Sequence, residues 1–218
     1  MTNNEKKTKA KNRVEKLLFE YADETFFKKH LITLSITVQI YCTLKQVFKD
    51  TTRTLEDNED FQKEFSKFYG IQRFIGVDFD KTYYSIMAQL RDKTEYDERE
   101  LCEKLKDGDK IQFSFITKML NMINDAKYPI YDQNIARAFG INPSSFNNQN
   151  KIDNYLSCYQ IIKNTYNELL LQPRCKSILA SFRSAIKIEE DKISDMRVLD
   201  IIIWKIGGEI KKNNRTLT

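Results

Sequence analysis

The chain has few of the residues that make sharp turns, with six glycines and three prolines among 218 residues. Sandwiches and barrels built from short strands need many such turns, so this scarcity argues against them and favours helices joined by short loops. Hydrophobic residues make up 41% of the chain and charged residues 31%, a mixture typical of a folded domain. A chain of this length is expected to bury a core without help from metals or disulfides.

Histidine is represented only by His30, at the start of an apolar helical segment. We interpret it as a structural residue, which leaves Ser–His–Asp and Cys–His catalysis without a base. Neither glycine-rich loop that binds nucleotide phosphates, G-x-x-x-x-G-K-[ST] or G-x-G-x-x-G, occurs in the sequence. No cofactor is therefore expected, and any chemistry is left to carboxylates, lysines, hydroxyls and aromatics.

The cysteines lie far apart and form no C-x-x-C pair; they are Cys42, Cys102, Cys158 and Cys175. Zinc and iron–sulfur sites need clustered thiolates, so no metal is expected at these positions. Asp78 and Asp80 are an alternative pair of metal ligands, although Asp80 also fits the N-cap of a helix. We predict a protein without metal.

Long hydrophobic runs are also missing. The most apolar segment, residues 31–44, is too short and too polar to span a membrane and is predicted to be a buried helix. No signal peptide opens the sequence, which favours the cytosol. The net charge is +5, and much of the excess lies in the first sixteen residues. We predict that residues 1–10 form a disordered basic tail, with an arm that binds nucleic-acid phosphates as the functional alternative.

Apolar residues recur at helical spacing through most of the chain, so the sequence predicts an all-α fold. We assign residues 11–210 to a single domain and residues 211–218 to a disordered tail. The longer helices are predicted at 12–28, 31–49, 111–123, 150–171, 174–187 and 193–206. Helix ends are predicted at Gly70, at Gly140 and at the pair Gly207–Gly208.

The most informative segment is FSFITKMLNMINDAKYPIYDQNIARAFGI, residues 113–141. It predicts an amphipathic helix, a loop held extended by Pro129, and a second helix with Asp132 at its N-terminus. A carboxylate at that place is stabilised by the unpaired N–H groups and by the helix dipole. Two interpretations stay open on these grounds, since Asp132 is either an N-cap alone or an N-cap that also carries chemistry.

The same segment resembles the helix-hairpin-helix DNA glycosylase superfamily, most closely its bacterial members with the 8-oxoguanine DNA glycosylase fold. In that superfamily a proline-bearing loop leads to a V-D-x-H-V-x-R type sequence, which corresponds here to residues 130–137, IYDQNIAR. The catalytic aspartate of the family falls on Asp132. The segment MRVLDIIIWKIGG is similar to the closing helix of those bacterial members. The resemblance implies a two-lobed helical domain with a cleft between the lobes.

The sequence departs from this family at several points. The hairpin sequence L-P-G-V-G-x-K-[TA] is absent, and Asn134 stands where the family has histidine. The position of the Schiff-base lysine of bifunctional members falls near Ser114, and the nearest lysines are Lys110 and Lys118. We predict Lys118 as the substitute, because it lies one helical turn further along the same helix. Monofunctional and bifunctional action both stay open.

The resemblance implies a protein that binds DNA and excises a damaged or modified base, in base-excision repair or in bacterial defence against phage. Asp132 would stabilise the sugar cation, and the base would first leave the duplex for a pocket. The nucleic-acid contacts are predicted at Ser114, Gln133, Asn134 and Arg137, and the base pocket at Tyr128, Tyr131 and Trp204. The alternative from another class is a noncatalytic helical module that binds nucleic acid or protein.

Overall fold

The computed structural model of the chain describes residues 2–71, 77–93, 96–106, 108–146, 148 and 150–215, without the side chains of 77–78 and 212–215. Most of these residues belong to ten α-helices, and no β-strand occurs among them, which confirms the all-α prediction. The helices are α1 (Asn3–Tyr21), α2 (Glu24–Lys49), α3 (Glu59–Tyr69), α4 (Val77–Leu90), α5 (Glu98–Lys104), α6 (Phe113–Ile123), α7 (Gln133–Phe139), α8 (Lys151–Leu170), α9 (Pro173–Ile186) and α10 (Asp195–Arg215).

Helix α1 covers most of the segment 1–10, for which the sequence predicts a disordered tail. A capping box starts the helix: the Thr2 hydroxyl accepts a hydrogen bond from the Glu5 N–H, and the Glu5 carboxylate accepts one from the Thr2 N–H. One turn later the Lys6 ammonium lies 4.5 Å from the centroid of the Phe146 ring. Local capping and this cation–π contact explain why the basic segment is helical.

The first interruption of helix falls at Ala22 and Asp23, several residues before the break near residue 30 that the sequence predicts. Asp23 is in an extended conformation, and its carboxylate accepts a hydrogen bond from the Phe26 N–H at 2.8 Å. Aspartate is a strong N-cap, so this residue sets the boundary although apolar residues continue across it.

Helix α2 is long and apolar enough to cross a membrane by length and composition, a property that core helices of soluble proteins share. One of its faces is buried in the protein core, including Leu34, Val38 and Tyr41, and the helix packs against α3 and α9. Ile32 and Ile36 on another face are exposed.

Two of the predicted helix ends are confirmed. Gly70 after α3 and Gly140 after α7 both adopt the left-handed conformation, each with φ of 66°. Glycine reaches this region without steric strain, which is why it ends helices so often. The N-cap predicted at Asp80 is wrong, because Asp80 lies inside α4. The side chain of Asp78, its partner in the alternative metal site, falls outside the described residues.

Helix α10 continues through Gly207 and Gly208 to Arg215, so the helix end predicted at this pair is wrong. The cause is the packing of α7 against α10. A Cβ atom built on Gly207 would lie 2.1 Å from the backbone oxygen of Asn134, whereas one on Gly208 would lie 3.5 Å from the Asn134 side chain. Gly207 therefore permits two helices to cross in close contact rather than ending one of them.

Helix α10 also contacts α1, α8 and α9. Its residues Val198, Leu199, Ile202 and Ile203 are fully buried. The helix includes residues 211–215, which the sequence assigns to a disordered tail; residues 216–218 lie outside the described part of the chain.

Candidate active site

The loop that joins α6 to α7 is held by buried side chains of α6. The Asn121 amide donates a hydrogen bond to the Tyr128 carbonyl at 2.7 Å. The Thr117 hydroxyl accepts one from the Tyr131 N–H at 3.0 Å and lies 3.3 Å from the Tyr131 carbonyl oxygen, to which it can donate. Both side chains are completely buried in an otherwise apolar helix. Their place in the core is explained by the loop backbone that they satisfy.

Helices α8 and α10 hold the middle of the same loop. Tyr159 of α8 donates its hydroxyl proton to the Pro129 carbonyl at 2.8 Å. The Ile130 N–H donates to the carboxylate of Asp200 in α10 at 3.3 Å. The carbonyls of Tyr128 and Pro129 and the N–H groups of Ile130 and Tyr131 are thus paired with side chains from three helices, which fixes the position of the residue that follows.

Asp132 follows this loop and caps α7. Its backbone is extended, and its Oδ1 atom accepts hydrogen bonds from the Asn134 N–H at 2.8 Å and the Ile135 N–H at 2.9 Å. The predicted N-cap is therefore confirmed. No described residue donates a hydrogen bond to Oδ2, and the carboxylate is half-buried in the wall of two cavities.

Lys118 lies in α6 with 7% of its surface exposed, beside the same cavities. Its ammonium donates a hydrogen bond to the Tyr69 carbonyl at 3.0 Å and lies 5.1 Å from the centroid of the Phe115 ring. Burial lowers the pKa of the amine from 10.5 to about 8, although the nearby Asp132 carboxylate opposes this change. A lysine of this kind is neutral for an appreciable fraction of the time near neutral pH, as a nucleophilic amine must be.

An open cleft of about 1000 Å³ lies beside α7. Residues of α1, α6, α7 and α8 contribute to its walls. Its charged lining residues, among those that the structure describes, are Arg13, Lys118, Asp132 and Arg137. Three cations and one carboxylate give the cleft a positive balance, which suits a polyanionic ligand.

A second, more enclosed cavity of about 390 Å³ lies between α2 and α3 on one side and α6 and α10 on the other. Its apolar and aromatic lining residues are Ile36, Ile40, Phe68, Tyr69, Ile130, Ile201 and Trp204. Its volume and lining are typical of a pocket for a small, flat molecule or group.

Four residues line both cavities, namely Tyr69, Gly70, Lys118 and Asp132. The amine and the carboxylate therefore line both the open cleft and the enclosed cavity. Lys118 and Asp132 are the two charged residues of this shared set.

Most of the residues predicted for the site line one of these two cavities. The open cleft is lined by Ser114, Lys118, Tyr131, Asp132, Gln133, Asn134 and Arg137. The enclosed cavity is lined by Trp204, together with Lys118 and Asp132. Tyr131 is 8% exposed and packs edge-on against Phe113, so it contributes little more than the rim of its ring to the cleft.

Tyr128 and Lys110 lie elsewhere. Tyr128 lines neither cavity, since its ring is buried against Tyr96 and lies 5.3 Å from the Lys163 ammonium. Its predicted place in a base pocket does not agree with this packing. Lys110 is exposed and also lines neither cavity, which leaves Lys118 as the lysine at the junction.

Arg137 lines the cleft, and one nitrogen of its guanidinium is hydrogen-bonded within the protein. Its Nη1 atom donates hydrogen bonds to the Asn134 side-chain oxygen at 2.7 Å and to the Gly207 carbonyl at 3.3 Å. The bond to Gly207 joins α7 to α10 at the close crossing described above, while the bond to Asn134 lies within α7. Arg137 thus holds α7 in place as well as contributing charge to the cleft.

Arg13 of α1 belongs to the basic first sixteen residues, for which a phosphate-binding arm is the functional alternative, but its place in the cleft was not predicted. Its guanidinium donates hydrogen bonds to the carbonyls of Ala138, at 3.1 Å, and Arg137, at 3.5 Å, at the C-terminal end of α7. A cation is favoured there by the helix dipole. The sequence gives no signal for this contact, because it joins residues more than 120 positions apart.

Arg197 and Asp200 form a second missed feature, a buried ion pair of 2.5 Å at the enclosed cavity. Burial raises the pKa of Asp200 to about 6, while the Arg197 guanidinium opposes the rise. Two opposite charges three positions apart within the apolar segment MRVLDIIIW are the sequence signal that could have revealed them.

Among the described residues no group of three or more His, Cys, Asp or Glu side chains is placed to hold a metal ion. No protein-family model, curated protein or solved structure matches the chain.

Proposed function

We propose that this protein is a DNA glycosylase that excises a damaged or modified base, with Lys118 and Asp132 as its catalytic residues. The observation that carries the proposal is their position in the wall shared by an open basic cleft and an enclosed apolar cavity. In this proposal the cleft binds the DNA backbone and the cavity receives the base after it leaves the stack. The glycosidic bond would then pass between the two residues.

The fold would serve this chemistry by dividing around the enclosed cavity. We propose that α2 and α3 on one side and α6 and α10 on the other belong to the two lobes of a glycosylase-like domain. Arg13 and Arg137 would contribute to phosphate binding along the cleft, together with the polar side chains of Ser114, Gln133 and Asn134.

Asp132 supports base release by its charge. Departure of the base with the electron pair of the glycosidic bond leaves positive charge on the sugar, and a fixed carboxylate stabilises that charge. Since the helix N–H groups bind Oδ1, the orientation of the carboxylate does not depend on the ligand.

Lys118 supplies the nucleophile in this proposal. Its neutral amine attacks C1′ of the sugar, the N–C1′ bond forms as the bond to the base breaks, and the base takes up a proton. One amine proton is taken up by the departing base; the C1′–O4′ bond then breaks, O4′ takes the second amine proton, and a Schiff base between Nζ and C1′ results, which can be reduced. The proposal therefore favours bifunctional action over the monofunctional alternative.

Borohydride trapping tests the nucleophile. We expect the wild type to form a covalent adduct with an oligonucleotide carrying a substrate base, and Lys118→Ala to form none. Lys110→Ala is the matched control, since that lysine lines neither cavity. Trapping should increase from pH 6 through pH 8 and level off about one pH unit above the pKa, because the pKa of the amine is about 8 and only its neutral form attacks. Adduct formation by Lys118→Ala would refute the assignment.

Asp132→Asn tests the carboxylate. Asparagine is nearly isosteric and also caps helices, so folding and DNA binding should persist. Base release from oligonucleotides with oxidised, alkylated, deaminated, hydroxymethylated or glucosylated bases should fall on the order of a hundredfold or more. Equal activity of the variant and wild type would make Asp132 a cap alone. If the wild type releases no base from any of these substrates, the noncatalytic helical module becomes the better interpretation.

A further inference from the structure

Three basic side chains follow one flank of α1, and we call them the basic row. Lys6, Lys9 and Arg13 are spaced by three and four residues, which places them on the same side of the helix. The contacts at both ends agree with this placement. Arg13 donates to carbonyls at the C-terminal end of α7, and the Lys6 ammonium donates to the Ser145 carbonyl at 2.6 Å.

The basic row begins inside the open cleft and continues beyond it. Arg13 lines the cleft, and so does Pro143. The short 3₁₀ turn Pro143–Ser145 leads from the cleft to the carbonyl that Lys6 contacts. Seven residues of α-helix rise about 10 Å, so Lys6 lies about that distance beyond Arg13 along α1. The row therefore extends the positive lining of the cleft by about three base pairs of duplex DNA.

The charge on the opposite flank of α1 is offset by acidic residues. Lys11 forms an ion pair of 2.5 Å with Glu168 of α8. Its hydrogen bond lowers the pKa of the Glu168 carboxylate, and the charge of Lys7 acts in the same direction. Beyond the basic row, Lys16 is likewise offset, since its ammonium lies 3.7 Å from the Glu20 carboxylate. The excess positive charge of α1 is thus concentrated on the flank that faces the cleft.

Glu5 precedes the basic row by one residue, but its carboxylate is bound at the start of the helix. It accepts a hydrogen bond from the Thr2 N–H at 2.7 Å in the capping box of α1. The row itself carries no stacking surface, because the ring that it contacts, Phe146, is 4% exposed and lies under the Lys6 ammonium. Single strands are usually held by stacking of their bases on aromatic side chains, whereas a duplex offers its phosphates to cations alone.

We infer that the basic row binds the backbone of double-stranded DNA to one side of the base in the enclosed cavity. The inference rests on the proposed glycosylase function, which places DNA in the cleft. Ammonium and guanidinium groups that contact phosphates position a duplex without reading its sequence. The row would therefore add affinity for any duplex, damaged or not, and would fix the direction in which the DNA leaves the cleft.

Salt titrations of binding to an undamaged duplex test this surface without catalysis. The double variant Lys6→Gln with Lys9→Gln removes two charges from the basic row. Lys7→Gln with Lys11→Gln is the matched control, since it removes two charges from the opposite flank, and each double variant loses one side-chain contact of α1. We expect the slope of log affinity against log salt concentration to fall by about 2 in the first double variant and to stay nearly unchanged in the control.

Equal losses in the two double variants would show that only the total charge matters and would overturn the inference. An equal or larger loss with a single strand of the same length would also overturn it, because the row would then not be a duplex surface. Circular dichroism checks that the variants fold. If the first double variant does not fold, Lys9→Gln alone decides, since Lys9 is exposed; its slope should fall by about 1, and an unchanged slope would overturn the inference.

The outcomes separate this inference from the proposed function. A slope lowered by about 2 supports the basic row even if the wild type releases no base, in which case the catalytic proposal fails alone. Base release by the wild type together with an unchanged slope in the first double variant overturns the basic row alone. A wild type that binds no duplex at low salt overturns both.

Discussion

Replacing Gly207 with alanine tests the close crossing of α7 and α10, on which the position of Asp132 depends. The added Cβ atom would lie 2.1 Å from the Asn134 oxygen and 2.7 Å from the Asn134 carbonyl carbon. Both are backbone atoms, so no side-chain rotation relieves the contact. Helix α7 has to move by more than 1 Å before the ordinary van der Waals distance of 3.4 Å is restored.

Gly208→Ala is the matched control, and it allows the cost of the clash to be isolated. Alanine is favoured over glycine in a helix interior by about 0.5–1 kcal/mol, and both variants gain this contribution. A Cβ atom on Gly208 would meet its nearest neighbour at 3.5 Å, an ordinary contact. The difference in unfolding free energy between the two variants therefore measures overpacking, which we expect to destabilise Gly207→Ala by about 1–3 kcal/mol relative to Gly208→Ala.

Chemical denaturation followed by circular dichroism gives the two free energies of unfolding. The same variants should separate in activity, because α7 carries Asp132 at its N-terminus, two residues before Asn134. A displacement of about 1 Å at a reacting centre lowers rates by on the order of a hundredfold. Equal stability and equal base release in Gly207→Ala and Gly208→Ala would refute both the close crossing and its role in positioning the carboxylate.

Three further predictions concern single side chains. Lys118→Met should raise the free energy of unfolding at pH 7 by about 1–2 kcal/mol, because the fall of the lysine pKa from 10.5 to about 8 corresponds to about 3 kcal/mol, offset in part by the lost hydrogen bond. This advantage should shrink between pH 8 and pH 10.5, where only the unfolded wild type still binds the proton; an advantage independent of pH would contradict the burial of a charged amine. Thr117→Val should destabilise the fold by about 1–3 kcal/mol in thermal or chemical unfolding, because it leaves the Tyr131 N–H without its acceptor. Thr165→Val removes a buried hydroxyl without a partner and should be neutral or stabilising. Equal effects of the two substitutions would contradict the role of Thr117 in the loop. Arg13→Gln should weaken DNA binding and lower the slope of log affinity against log salt concentration by about 1 in anisotropy titrations. The effect should be larger than that of Lys16→Gln on the same helix, and the reverse order would show that Arg13 does not contact DNA.

The sequence predicts the helices well where the evidence is local. Apolar periodicity indicates an all-α chain, and Gly70 and Gly140 end helices because an αL residue is required there. The prediction fails at Gly207 and Gly208, where the same residue type continues a helix. The difference lies in a contact with Asn134, a residue more than 70 positions away, which no local pattern contains.

The candidate site was predictable to a similar extent. The segment 113–141 led to Asp132 as an N-cap, which is confirmed, and brought Lys118 forward as the neighbouring lysine; the chemistry assigned to both stays a prediction. Tyr128 looked like a pocket residue because an aromatic next to a loop proline carries no mark of burial in the sequence. The place of Arg13 in the cleft could not be predicted from local sequence, because it depends on how α1 packs on α7.

The hydrogen-bonded loop between α6 and α7 has a thermodynamic consequence for ligand binding. Fixing one residue of backbone costs about 1–2 kcal/mol of conformational entropy, and residues 128–131 have already lost that freedom when the chain folds. A ligand that reaches Asp132 does not have to order this backbone, so its affinity is not reduced by that cost. Calorimetry should therefore give a heat-capacity change that scales with the surface buried in the cleft, without the larger contribution that accompanies coupled folding.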